Sequence, residues 1–179
     1  MHLHELFQTT CLSAYYDPSN DWLYLDWQGE PSLPDIQQAC LTLAECYLRR
    51  PYSHILNNNE QVTGVSWNVS IWLATDFLPH MGLAGIEHVA WVYSTSLRGR
   101  TMVHTVLALL PGSFITTFNY VADAVEWLQQ MHPKSQADYG LPRRTAAVQA
   151  KLAQEVQALG ERLAAKQRKL QRPSRWRRV

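Results

Sequence analysis

Early in the chain the apolar positions follow the two-residue period of a strand, then change to the spacing of a helix. Residues 22–28, "WLYLDWQ", put Leu23, Leu25 and Trp27 on one side of an extended segment, and Trp22, Tyr24, Asp26 and Gln28 on the other. The Leu/Leu/Trp side is the expected buried face. Residues 8–16, "QTTCLSAYY", share the β-branched and aromatic character, and "DPSND" between the two segments supplies the turn of an antiparallel hairpin. From Ser32 the period is helical. Ile36, Cys40, Leu43 and Tyr47 form one stripe, Pro34 suits a first turn, Ser32 and Asp35 resemble a capping box, and Pro51 stops the helix.

The alternation then repeats. "YSHIL" reads as a short strand, and Asn57, Asn58 and Asn59 read as the start of a loop, because asparagine favours turns. A second helix is expected from about Thr63, with Trp67, Ile71 and Phe77 or Leu78 turned inward, before the breaker cluster "PHMGLAG". "IEHVAWVYS" is a continuous apolar strand of the kind buried on both faces. "RGRTMVHTVLALL" is a helix with Val103, Val106, Leu107 and Leu110 as its stripe. "SFITTFN" is a strand, and "YVADAVEWLQQM" is a helix capped by Asn119, with Asp123 in its first turn. The order β-β-α-β-α-β-α-β-α predicts an α/β fold over residues 1–131, with a mixed sheet of about five strands and helices packed on it.

Residues 132–144 are a polar linker. Residues 145–179 predict one long basic helix of roughly 40 Å, ended by Pro173 and followed by a disordered end. Leu152, Val156, Leu159, Leu163 and Leu170 keep helical spacing along it. Gly160 weakens that helix by about 1 kcal/mol relative to alanine. The stripe would pack either on the body of the same chain or against a second copy.

Charge separates the same two parts. Residues 1–140 carry 5 Lys/Arg against 13 Asp/Glu, a balance of −8, whereas residues 141–179 carry 11 against 2, a balance of +9. Such a tail suits nucleic-acid phosphates, an anionic membrane surface or the acidic body itself. Its contact candidates are Arg168, Lys169, Arg172, Arg175, Trp176, Arg177 and Arg178. No apolar run is long enough to span a bilayer, and "MHLHELFQTT" reads as a frayed terminus without the pattern of a secretory signal. Cys11, Cys40 and Cys46 suggest reduced thiols in a cytoplasmic protein. His2, His4, His54, His80, His88, His104 and His132 are scattered. Neither a nucleophile triad nor a metal or cofactor motif is expected from these patterns. Trp22 and Trp176 are the tryptophans expected to lie exposed.

Four pieces in order, "LDWQG", "HILNNNEQVTG", "GLAGIEHVAWV" and "TTFNYVADAVEWL", make residues 8–131 similar to the SpoIIAA-like (STAS/SEC14) family of small bacterial α/β domains. The resemblance implies a mixed sheet with packed helices and a non-enzymatic regulatory or protein-interaction role. It also implies a phosphorylatable hydroxyl at a helix start. Thr63 holds that place, but Gln61-Val62-Thr63-Gly64 stands where the family has Asp-Ser-Ser-Gly, and a plain N-cap is the competing reading. A carrier of a small ligand, lipid or anion, is the alternative, and it needs an apolar cavity under the helices.

Ligands of open α/β sheets bind beyond the carboxyl ends of the strands. Asn57, Asn58, Asn59 and Thr63, with Ser94, Thr95, Ser96, Arg98 and Arg100 from the next strand end, are therefore the candidate rim for a ligand or partner. The expected partners are a protein, or a second copy through the tail helix.

Overall fold

The predicted hairpin is part of a longer antiparallel meander. A computed structural model of the chain describes residues 3–80, 82–110, 114–131 and 144–171. Strands β1 (His4–Gln8), β2 (Leu12–Asp17) and β3 (Trp22–Gly29) run antiparallel. Strands β4 (His54–Val62), β5 (His88–Val92) and β6 (Ile115–Phe118) continue from β3 in parallel. The six strands lie side by side in chain order. The extra strand is β1, in the segment expected to fray; its ladder to β2 ties the terminus down.

Parallel neighbours that follow one another along the chain each need a crossover, and right-handed crossovers all leave on the same side. Helices α1 (Leu33–Arg49), α2 (Trp67–Trp72) and α3 (Leu97–Leu109) accordingly contribute to one core on one face of the sheet. α2 runs on into a π-helical turn, Leu73–Phe77, and a 3-10 turn, Leu78–His80. Helix α4 (Val121–Met131) follows β6 and covers the opposite face over β4, β5 and β6. There it builds a smaller core from Trp22, Leu56, Ala90, Val92, Ala124 and Leu128.

Local rules account for α1. Ser32 and Asp35 make the reciprocal capping box, and Ile36, Cys40, Leu43 and Tyr47 are all buried. The last helix, α5 (Ala146–Gln171), lies against α1, so the tail stripe packs on the chain's own body. Leu152, Val156, Leu159 and Leu163 are buried there and are not free to pair with a second copy. Gly160 sits over Leu41, where a Cβ would come within 3.7 Å of a leucine methyl, and Gln149 donates to the Leu48 carbonyl at 2.9 Å. Arg144 reaches the Tyr47 carbonyl in the same seam.

Three further expectations are corrected. Trp22 is fully buried, because α4 covers the face on which it lies. α2 presents Val69, Trp72, Leu73 and Phe77 to the core and leaves Trp67 and Ile71 outside. Asn119, expected to cap α4, instead accepts from the Arg100 guanidinium through its side-chain Oδ1 at 3.1 Å. At the β2–β3 turn, Asp21 adopts a left-handed backbone, φ 51°, and the Arg50 guanidinium binds both its carboxylate and the Tyr16 hydroxyl. That ion pair ties the hairpin to the end of α1. Pro173 and the linker at 132–143 lie outside the described residues.

Candidate functional site

The asparagine triplet belongs to β4 and is buried. β4 is paired on both sides, and its backbone donors and acceptors hold the chain extended against the turn preference of asparagine. The register against β3 shifts between Asp26–Asn58 and Gln28–Gln61, so β4 carries one extra residue there, a bulge at Asn59 and Glu60. Asn57 and Asn59 then face the helix layer, while Asn58 faces the other way.

Each amide has a distinct set of partners. Asn57 Oδ1 accepts from Trp27 Nε1 at 2.9 Å. Asn59 Nδ2 donates to the carbonyls of Asn57 at 3.2 Å and Val92 at 3.0 Å, supplying side-chain hydrogen bonds where β5 ends. Asn58 Nδ2 donates to Asp26 at 2.9 Å and reaches the Tyr24 hydroxyl at 3.4 Å. Burial pushes the Asp26 carboxyl above its ordinary range, and the hydrogen bonds from Asn58 and Tyr24 offset part of that shift.

Of the hydroxyls after β5, Ser94 and Ser96 meet at 2.9 Å, while Thr95 turns away to another acceptor. Ser94 is buried and its Oγ donates to the Val62 carbonyl, while Thr95 Oγ1 reaches the Glu60 carbonyl at 3.4 Å. Ser96 is the N-cap of α3, accepting from the Gly99 N–H at 3.1 Å. Gly99 has no alternative here, since a Cβ would lie 2.4 Å from that of Ser94. These groups latch the ends of β4 and β5 together. Arg100 is spent on Asn119 and lies over the Tyr93 ring at 5.2 Å, while Arg98 is exposed. Thr63 is exposed and its N–H pairs with the Gly29 carbonyl; Ser66, not Thr63, occupies the N-cap position of α2. The predicted rim therefore divides into a buried set, Asn57, Asn58, Asn59 and Ser94, and an exposed set that includes Thr63, Thr95 and Arg98.

Two spaces border this region. One is a partly open cavity of about 50 Å³ between the sheet and the helix layer, whose walls include Ile55, Asn57, Asn59, Leu73, Trp91 and Met102. That volume is below the ~150 Å³ of an apolar cavity known to hold a benzene-sized guest. The other is a surface groove between the first turns of α2 and α3, lined in part by Trp67, Leu97 and Arg98. Trp67 is 58% exposed, Leu97 83% and Ile71 41%. The helical spacing of Trp67 and Ile71 hid this patch, because it equally suits a stripe facing the core. The signal for the cavity wall was Ile55, Asn57 and Asn59 at every second residue.

Burial raises the thiol pKa of Cys11, Cys40 and Cys46, Cys40 most of all, which disfavours the reactive thiolate. Among the described residues no group of three His, Cys, Asp or Glu side chains is placed to hold a metal ion. No helix among them is long and apolar enough to cross a membrane. Arg168 and Lys169 are exposed in the last turn of α5; Arg172, Arg175, Trp176, Arg177 and Arg178 lie outside the described residues. No family model, curated protein or solved structure matches the chain.

Proposed function

We propose that the chain is a non-catalytic docking module that captures a protein partner in the groove between α2 and α3, a role of the kind its SpoIIAA-like resemblance implies. The observation that carries this reading is the exposure of Trp67, Ile71 and Leu97 together beside that groove. Large apolar side chains grouped in solvent mark interaction surfaces, and tryptophan is the residue type that most often dominates their energetics. Arg98 at the same rim selects a segment that carries a carboxylate beside its apolar anchor. The buried thiols and the latched serines support a binding role over a chemical one.

Site-specific photocrosslinking in cells that express the full chain tests this. A benzophenone side chain at Leu97 is expected to form an adduct with one discrete polypeptide. One at Leu109, also exposed but at the other end of α3, is expected to form none. Trp67→Ser and Arg98→Glu should each weaken the Leu97 adduct by roughly tenfold. Equal labelling from both positions, or adducts indifferent to Trp67→Ser, would reject the groove as a docking site.

A further inference from the structure

The partly open cavity carries an inference independent of the docking surface. Asn57 and Trp91 are direct register partners on β4 and β5, so their side chains leave the same face as neighbours. Both line the cavity, and Asn57 is only 6% exposed. Trp27 occupies the Asn57 oxygen, which fixes the orientation of the amide. The Asn57 NH₂ group and the Trp91 indole N–H have no hydrogen-bond partner among the described residues. Two buried donors on register partners that line one cavity call for an acceptor.

We infer that this cavity is a binding site for a compact, uncharged molecule that presents one oxygen acceptor, such as a ketone, amide or sulfoxide, to Asn57 Nδ2 and Trp91 Nε1. Uncharged follows from the walls. Apart from Asn57 and Asn59 they are apolar, and no charged side chain contributes to them, so an ion would enter without compensation. Compact follows from the volume of about 50 Å³.

The wall best suited to yield is α2. Leu73 and Phe77 line the cavity from its π-helical turn, a geometry that occurs mostly as single turns within helices and is frequent at functional sites. Val65 and Met102 border both the cavity and the surface groove, so the two spaces adjoin there. The flexible methionine is the simpler of the two to displace.

Titration of the full chain with acetone, followed by ¹H–¹⁵N NMR of side-chain signals, tests the assignment, with xenon as an apolar probe. Acetone is expected to shift the Trp91 indole and Asn57 amide signals saturably, while the exposed Trp67 indole changes only linearly. Nuclear Overhauser contacts should run from its methyls to Leu73 and Met102. Trp91→Phe removes the donor together with the pyrrole half of the indole, so it should weaken acetone roughly fivefold while xenon binds at least as well as before. If xenon enters and acetone moves neither signal, the cavity accepts apolar guests and the donors are irrelevant, which overturns the inference. Exclusion of both probes, or water contacts at both donors that acetone never displaces, overturns it equally. Should Trp91→Phe fail to fold, the wild-type shifts and methyl contacts decide the matter alone.

Discussion

The two faces of the sheet solve the same problem with different means. The face under α1, α2 and α3 is thick, backed further by α5, and it encloses Asn57 and Asn59 beside Trp27 and Trp91. The face under α4 is thin and covers only the parallel half of the sheet. Its edge leaves Tyr15 stacked on Tyr24 at 6.0 Å and Asp26 half-buried against Asn58. Neighbouring residues of one triplet thus meet opposite conditions. All three amides are buried, but Asn58 on the thin side gives its Nδ2 to Asp26 and Tyr24, whereas Asn57 on the thick side keeps an Nδ2 without a partner among the described residues. Asn57 Nδ2 and Trp91 Nε1 point to a ligand because both residues line one cavity.

The largest test of this contrast asks whether the thin face is a core at all. Trp22→Ala should cost roughly 3–5 kcal/mol in urea unfolding, as for any fully buried aromatic. A cost below about 1 kcal/mol would show that α4 covers that face only loosely.

The next test sets one asparagine against the other. Asn57→Ala leaves the Trp27 indole N–H buried without its acceptor and should cost about 1–3 kcal/mol. In a Trp27→Phe background the same change should cost less, because the stranded donor is gone; strict additivity would sever the proposed coupling. Asn58→Ala should cost under about 1 kcal/mol, since water can reach the half-buried Asp26 carboxylate.

The smallest effect is a pH dependence of the thin side. The folded-state pKa of Asp26 is raised above its ordinary value of 3.8, so the folded state holds this proton more tightly than the unfolded chain. The contribution of Asp26 to stability therefore falls as pH rises from its unfolded pKa through its raised folded one, and is level above that. Asp26→Asn should remove this component from the part of the stability–pH curve just above pH 3.8. An unchanged curve would locate the dependence elsewhere.

The elements most legible in the sequence are those governed by contacts within a few residues. The α1 stripe and its Ser32 cap, the β2–β3 hairpin and the apolar β5 follow from local spacing alone. α2 shows the limit. Trp67 and Ile71 satisfy helical periodicity as well as Val69 and Leu73 do, and only the position of the sheet decides which pair is inside. Trp22 misled for a related reason: the helix that buries it begins about a hundred residues later. Of the candidate rim, the sequence located the strand ends but not the latch, because Ser94 and Thr95 meet their carbonyl acceptors across more than thirty residues.

By itself the sequence determined the alternation of strands and helices, the apolar stripes of α1 and α5, and the separation of an acidic body from a basic end. Those properties reside in local period and charge. The tertiary structure alone decided that Asn57, Asn58 and Asn59 are strand rather than loop and which way each amide points. A central strand must meet its backbone groups on both neighbours, β3 and β5, and that requirement outweighs the turn preference of three asparagines.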